Sequence, residues 1–113
     1  MFKRGIVTLM IENMDRAVKF YTETLGFKLR ERYNNDWAEI EGPDLTIGLH
    51  PNKGKKLHAQ GVSLGFQVKD VAEAMVALEQ KGIHFQTQDA GYVKMAFFKD
   101  PDGTPLYLAQ LKK

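Results

Sequence analysis

The chain has 113 residues, of which 43% are hydrophobic and 27% are charged, and this balance is typical of one compact globular domain. Its net charge of +2 is too small to indicate a nucleic-acid-binding protein, and no apolar run approaches the ~20 residues of a membrane-spanning helix. The chain contains no cysteine, which excludes disulfides, thiolate metal sites and a cysteine nucleophile and is compatible with a reducing cytosol.

The sequence contains an internal repeat. Residues 5–18, GIVTLMIENMDRAV, are similar to residues 62–75, VSLGFQVKDVAEAM, and Gly26 in the first half corresponds to Gly82 in the second. A period of about half the chain indicates one structural unit that has been duplicated. We therefore expect the second half to repeat the secondary structure of the first.

The first half of the chain has the pattern of a βαβββ module. Residues 5–11 are mostly apolar or β-branched, which predicts a strand. Asn13 then offers a helix N-cap, apolar residues recur at helical spacing, and Gly26 ends the helix. Three further strands are predicted at residues 27–32, 37–41 and 45–50.

The second half repeats this order. A strand is predicted at residues 62–68, and Asp70 with Glu73 has the capping-box spacing at the start of a helix that Gly82 ends. Residues 100–103, DPDG, are a strong turn, because proline presets the second position and glycine accepts a positive φ. The remaining strands are predicted at residues 83–87, 93–98 and 106–111.

These elements predict an α+β fold made of two tandem modules. The modules span residues 1–52 and 60–113 of a single domain, residues 1–113, and the polar, turn-rich residues 51–59 form the predicted linker. Eight strands and two helices in this order favour two curved mixed sheets around a shared cleft, with the helices on the outer faces.

Three motifs suggest membership of a known family. The first is residues 13–21, NMDRAVKFY, followed by residues 25–27, LGF, and the second is residues 68–71, VKDV, leading to Gly82. The third is residues 97–103, FFKDPDG. In this order, and within an internal repeat, they resemble the glyoxalase, bleomycin-resistance and extradiol-dioxygenase superfamily, also called the vicinal oxygen chelate fold. The resemblance implies the two-module fold described above but no particular reaction, because function depends on the site.

Metal-dependent members of this superfamily bind a metal through His, Glu or Gln at four equivalent strand positions. Transferred to this sequence, the positions are Ile6, Gly48, Ser63 and Tyr107. Isoleucine and glycine offer no donor, and neutral serine or tyrosine replaces imidazole or carboxylate poorly. The resemblance therefore implies a member without the metal ligands, and we expect no metal and no other cofactor. A register shift of two residues brings in His50 but supplies no complete ligand set, even with Glu39 on the neighbouring strand.

We predict that the cleft binds a small molecule instead of a metal. Alternate residues of a strand share a face, and those on the cleft face are mainly apolar or aromatic, as in small-molecule pockets. Gly48 and Gly65 are expected to leave space there. The predicted ligand-binding residues are Trp37, Glu39, Gly48, His50, Ser63, Gln67, Phe97 and Tyr107.

Several of these residues also have a purely structural interpretation. Trp37 and Phe97 are aromatic residues of the kind that more often fill a core. Glu39 would be solvated on its strand, and His50 would be an exposed loop residue. The other histidines are expected at the surface: His58 and His84.

The sequence leaves three functions open. The first is metal-independent binding of an apolar or aromatic small molecule, such as drug sequestration of the bleomycin-resistance type, by a cytoplasmic protein without nucleic-acid or membrane partners. The resemblance implies that this protein is a homodimer. The second is an enzyme, a glyoxalase-like lyase or isomerase with an atypical site around His50, Glu39 and Tyr107. The third is a structural or regulatory module whose cleft is filled by its own side chains.

Overall fold

The chain divides into two compact units, Met1–His58 and Ala59–Lys113. The computed structural model describes residues 1–54 and 61–112. Most of the predicted linker, together with His58, lies outside the described residues. The interpretation of the chain as one domain with two modules stays a prediction.

Unit 1 contains one helix and a four-stranded mixed sheet. Its elements are β1 (Val7–Ile11), α1 (Met14–Lys19), a π-helical turn (Phe20–Thr24), β2 (Lys28–Tyr33), β3 (Trp37–Gly42) and β4 (Leu45–Pro51). The strand order is β1-β4-β3-β2, in which β1 runs parallel to β4 and the other pairs are antiparallel. Because β4 continues to Pro51, the first residue of the predicted linker belongs to the sheet.

The first helix changes its hydrogen bonding along its length. Asn13 caps it, since the Asn13 Oδ1 accepts from the Arg16 N–H at 3.0 Å. The helix continues into the π-helical turn, where the Leu25 N–H donates to the Phe20 carbonyl at 3.0 Å. Gly26 follows with a φ of 78°, a conformation that favours glycine. The predicted helix from Asn13 to Gly26 is therefore confirmed in extent, although its last part is not α-helical.

Unit 2 repeats the arrangement of unit 1. Its elements are β5 (Leu64–Gln67), α2 (Val71–Glu79), β6 (Gln86–Asp89), β7 (Val93–Lys99) and β8 (Pro105–Leu111). The strand order is β5-β8-β7-β6, and β5 runs parallel to β8. The α+β fold with two four-stranded mixed sheets and two helices, predicted from the sequence, is confirmed.

The predicted start of the second strand of unit 2 is wrong. Residues 83–87 were expected to form this strand, but β6 begins at Gln86, where pairing with Phe97 begins. Phe85 instead packs against Phe98, with ring centroids 5.2 Å apart and the rings nearly edge to face. The apolar pattern that predicted a strand therefore reflects core packing of a connecting segment.

The two units share their strand register. In unit 1, Thr8 of β1 lies opposite Gly48 of β4, and in unit 2, Gly65 of β5 lies opposite Tyr107 of β8. The internal repeat aligns Thr8 with Gly65, so their partners Gly48 and Tyr107 occupy equivalent positions in the two units. This agrees with the positions transferred by resemblance, which treat Gly48 and Tyr107 as equivalent.

The core of each unit lies between its sheet and its helix. α1 contacts β3 and β4, and α2 contacts β7 and β8. The buried strand residues of unit 1 on this side are Leu9, Ile11, Ala38, Ile40, Ile47 and Leu49. Those of unit 2 are Leu64, Ala96, Phe98, Leu106 and Leu108. Residues between them point the other way, and we call that surface the distal face of each sheet.

The helices of both units are short. α1 has six residues and α2 has nine, whereas a membrane span needs ~20 residues. Among residues 1–54 and 61–112, no helix is long and apolar enough to cross a membrane.

The buried carboxylate of Asp100 stabilises the turn between β7 and β8 through hydrogen bonds. Asp100 is 5% exposed, and its Oδ1 accepts from the Asp102 and Thr104 N–H groups, both at 2.9 Å. Gly103 has a φ of 85°, as the sequence predicts for this turn. Proline and glycine thus set the backbone conformation, and Asp100 satisfies two N–H groups that the turn would otherwise leave unpaired.

We expect the variant Asp100→Ala to lower the free energy of unfolding by about 1–3 kcal/mol, because two backbone donors lose their acceptor. Urea unfolding followed by circular dichroism measures the change. The control is Asp36→Ala at an exposed turn residue, which should change stability by less than ~0.5 kcal/mol. Equal effects of the two variants would contradict this role of Asp100.

Candidate ligand-binding faces of the two sheets

The four predicted site residues of unit 1 lie on its distal face. Glu39 of β3 is opposite Gly48 of β4, which is in turn opposite Thr8 of β1. Trp37 and His50 lie two residues further along the same strands, so strand alternation places them on the same face. Their rings contact each other nearly edge to face, with centroids 6.5 Å apart. The sheet therefore brings together these four side chains, which the sequence separates by up to 13 positions.

The indole of Trp37 lies directly on Gly48. A Cβ atom at position 48 would meet Trp37 Cζ2 at 2.8 Å and Cζ3 at 3.0 Å, closer than side chains normally pack. The prediction that Gly48 leaves open space is therefore wrong, because the indole occupies that space. Trp37 itself is half-buried and lies outside the helix-side core, so it presents part of its ring at the surface.

Glu39 is buried, although it was expected to be solvated. Its residue is 2% exposed, and its Oε1 forms an ion pair with Arg4 Nη1, whose side chain is 42% exposed. Contact with the Glu39 carboxylate raises the pKa of Arg4 above its ordinary value, against a smaller lowering by desolvation. Arg4 lies ahead of β1, spaced by two residues from Ile6, and its contact with Glu39 brings a cation to the distal face. Sequence reasoning missed Arg4 as a site residue, and this two-residue periodicity was the available signal.

His50 belongs to a strand and is half-buried, so the expectation of an exposed loop histidine is wrong. Its Nδ1 lies 2.9 Å from the Pro51 carbonyl oxygen, which can only accept a hydrogen bond. Nδ1 must therefore carry the proton, and in the neutral ring Nε2 is the acceptor. This hydrogen bond fixes the ring and its tautomer.

The four predicted site residues of unit 2 also share a distal face. Tyr107 lies opposite Gly65 on one side and opposite Phe97 on the other. Ser63 is exposed just before β5, and Gln67 is exposed at its end, each two residues from Gly65 along the chain. Alternation places all of them on the side away from α2. His84, expected at the surface, is exposed.

Tyr107 covers Gly65 much as Trp37 covers Gly48. A Cβ at position 65 would meet Tyr107 Cε1 at 2.5 Å and lie still closer to the phenol oxygen. The expectation of open space at Gly65 is therefore wrong for the same reason as at Gly48. Phe97 adjoins Tyr107, with ring centroids 6.2 Å apart, and is 36% exposed, so it does not belong to the helix-side core.

The two distal faces differ in chemistry at equivalent positions. Ala38 and Ala96 occupy matching places in the two sheets, each paired with a buried leucine of the last strand. Glu39 of unit 1 therefore corresponds to Phe97 of unit 2, and Trp37 corresponds to Met95. Unit 1 presents an aromatic ring beside an ion pair, whereas unit 2 presents adjacent aromatic rings.

The four positions that the resemblance assigns to metal ligands carry few side-chain donors in this structure. Ile6 is an exposed aliphatic residue, and Gly48 lies beneath the Trp37 indole, so neither position supplies a side-chain donor. Ser63 and the Tyr107 phenol are the remaining polar groups. Within the part of the chain that the structure describes, His, Asp and Glu residues form no group of three that could hold a metal. We therefore derive no step of function through a metal ion.

A family model and curated relatives match most of the chain. The family model described as Glyoxalase/Bleomycin resistance protein/Dioxygenase superfamily matches residues 4–108. The uncharacterized protein YurT of Bacillus subtilis is 29% identical, over 93% of this chain and 96% of its own length. A probable lactoylglutathione lyase of Vibrio parahaemolyticus is 31% identical, over 93% of this chain and 88% of its own length.

Solved structures share the fold. TnmS3, an antibiotic binding protein from Streptomyces sp. CB03234, superposes with a TM-score of 0.82 at 21% identity, over 99% of this chain and 98% of that one. A putative glyoxalase family protein from Bacillus anthracis gives a TM-score of 0.82 at 18% identity, over 99% of this chain and 97% of its own. At these identities the likeness concerns the fold alone.

We expect Gly48→Ala to displace the Trp37 ring, because the added methyl group overlaps the indole. Trp37 is the sole tryptophan, so its emission should shift to longer wavelength as the ring becomes more exposed. Overpacking should also lower the free energy of unfolding by about 1–3 kcal/mol. Gly5→Ala is the matched control, since a Cβ at position 5 has no atom within 4 Å. An unchanged spectrum for Gly48→Ala would contradict the position of the indole.

We expect Arg4→Gln to destabilise the protein, because the buried Glu39 carboxylate loses the cation that lies against it. The raised pKa of Arg4 keeps its guanidinium charged in the wild type, and glutamine supplies no such charge. The loss of stability should exceed that caused by breaking an exposed ion pair elsewhere in unit 1.

Urea midpoints of wild type and Arg4→Gln at neutral pH provide the measurement. Arg16→Gln is the control, because its partner Glu12 has a side chain that is 77% exposed and stays solvated without the arginine. A urea midpoint for Arg4→Gln no lower than that of Arg16→Gln would show that the contact with Glu39 does not stabilise the fold.

Proposed function

Since this chain belongs to the glyoxalase/bleomycin resistance protein/dioxygenase superfamily, we propose that it binds an apolar or aromatic small molecule without a metal ion. The proposed binding surfaces are the distal faces of its sheets. The observation that carries this proposal is the pair of aromatic rings, Trp37 and Tyr107, each seated on a glycine and each only half-buried.

A ring held in this way is a preorganised contact surface. Because Gly48 and Gly65 have no side chain, the rings of Trp37 and Tyr107 approach the sheet closely, and the sheet supports one side of each. The other side is available to an apolar or aromatic partner, and little side-chain entropy remains to be lost on binding. Phe97 extends this surface in unit 2.

The polar groups on the distal face of unit 1 would give the site specificity. The Arg4–Glu39 ion pair and His50 Nε2 lie among apolar and aromatic neighbours, which is the usual composition of a small-molecule site. A ligand with one hydrogen-bond donor or acceptor beside an aromatic group would use both kinds of contact. Such sequestration needs binding free energy but no chemical step, so the absence of ligand atoms at Ile6 and Gly48 does not impair it.

A structural neighbour and a sequence relative support two different functions. TnmS3, which shares the fold, is described as an antibiotic binding protein, and this supports a binding function. The Vibrio parahaemolyticus relative is named a probable lactoylglutathione lyase, and this supports the alternative of a lyase or isomerase.

In this alternative, His50 and Glu39 on one face of unit 1 would be the acid–base pair, with Tyr107 as a further polar group. We favour binding because Glu39 is already engaged by Arg4.

Assembly and location form part of the same proposal. By resemblance to the superfamily, we propose a homodimer, which light scattering at several concentrations would detect as a doubled mass. The absence of cysteine suits the reducing cytosol, which we propose as the site of action.

A thermal-shift screen of aromatic and drug-like compounds tests the proposal, because a ligand that binds only the native state raises the melting temperature. For a compound found in this way, Trp37→Leu and Tyr107→Leu should each raise the Kd by about tenfold, or ~1.4 kcal/mol. Calorimetric titration measures the Kd, and the melting curve of each variant without ligand verifies that it is folded.

The control for these variants is Tyr92→Leu. It removes a 73% exposed aromatic ring that lies ahead of β7, outside the strands of the sheet. It should leave the Kd unchanged. Unchanged affinity in both Trp37→Leu and Tyr107→Leu would refute the distal faces as the site.

Metal analysis and an activity assay separate the two functions. The binding proposal predicts no stoichiometric nickel, zinc, manganese or iron in the purified protein and no lactoylglutathione lyase activity with or without added metal. Activity that is lost in His50→Ala and Glu39→Gln would establish the enzyme instead.

A further inference from the structure

Unit 2 contains a groove whose lining does not include Tyr107, the residue whose ring lies on Gly65. The groove has a volume of about 650 Å³ and is lined by residues 82–86, 97–99, 105 and 106. We call it the β6–β7 groove. Its volume falls within the ~300–1,000 Å³ range of small-molecule sites.

The groove exists because strand pairing starts later in unit 2 than in unit 1. In unit 1, β2 pairs with β3 from Lys28, which lies opposite Glu41. In unit 2, β6 pairs with β7 only from Gln86, which lies opposite Phe97. The backbones of His84 and Phe85 do not pair with β7, and the groove lies where this pairing stops.

Aromatic and aliphatic side chains line the groove. Phe85 and Phe98 pack together with centroids 5.2 Å apart, and Leu106 of β8 is buried beside Phe98 in the sheet. Ile83 and Phe85 are half-buried, so they keep apolar surface accessible to a ligand. This surface suits a flat apolar or aromatic group.

The groove carries a positive charge and a further hydrogen-bonding group. Lys99 and His84 both line it and are both exposed, and among the residues that the structure describes no Asp or Glu lines it. The lysine ammonium is positive at neutral pH, and the imidazole ring of histidine offers an N–H donor. A ligand that matches both the apolar lining and this charge is an aromatic group with a carboxylate.

We propose that the β6–β7 groove is a second binding site, specific for small aromatic carboxylates. The aromatic group packs against Phe85 and Ile83, and the carboxylate pairs with Lys99 and His84. Of the ligand-binding residues proposed above, only Phe97 also lines the groove, so this proposal does not depend on the function proposed above.

NMR titration of the 15N-labelled chain with 2-naphthoate tests this proposal. The amide signals of residues 82–86 and 97–99 should move together and saturate.

The uncharged analogue 2-naphthalenemethanol should bind about fivefold more weakly, since an exposed ion pair contributes up to ~1 kcal/mol. Lys99→Gln should weaken 2-naphthoate binding by a similar factor, and His84→Glu by at least as much because it adds repulsion.

The substituted residues are exposed, so the variants should keep the fold, and the spectrum of each verifies this. Lys94→Gln is the matched control, because it removes the same charge from the same strand outside the groove, and its Kd should equal that of the wild type. Equal binding of 2-naphthoate and 2-naphthalenemethanol, equal Kd values for Lys99→Gln and Lys94→Gln, or signal changes confined to other residues would each overturn the proposal.

Discussion

The parallel pairing between the first and last strands of each unit is the constraint on which the site depends. In unit 1 it places Thr8 opposite Gly48, and in unit 2 it places Gly65 opposite Tyr107. A shift of one residue would move every side chain of a strand to the other face. Burial of one face against the helix makes such a shift costly, because Leu49 and its neighbours would leave the core. Core packing therefore determines which residues are left for the distal faces.

Glycine and aromatic residues act as pairs on these faces. Gly48 permits the approach of Trp37, and Gly65 permits the approach of Tyr107, so a missing side chain on one strand positions a ring from the next. The two units use different strands for the ring, β3 in unit 1 and β8 in unit 2. The duplicated scaffold has thus kept its register while the residues that fill each face have diverged. This divergence gives one face with an ion pair whose carboxylate is buried and one face with adjacent aromatic rings.

Much of the fold follows from local signals in the sequence. The internal repeat, the Asn13 and Asp70 caps and the glycines after both helices predict two βαβββ units, because caps and periodicity depend on neighbouring residues only. Strand alternation also predicts which face each candidate residue shares. The environments of Glu39 and His50 could not be predicted in this way. The burial of Glu39 depends on Arg4, 35 positions earlier, and that contact exists only once β1 lies beside β4.

The sequence alone determined the order of the elements, the register of the repeat and the absence of side-chain donors at Ile6 and Gly48. Tertiary structure decided what occupies the space beside the glycines, since only the paired strands bring Trp37 over Gly48. It also decided where β6 begins, because Phe85 packs against the buried Phe98 and does not continue the sheet. The physical reason is common to these cases. The periodicity of the sequence predicts which face of a strand or helix a residue occupies. It does not predict which side chain packs against that residue, because that side chain comes from another part of the chain.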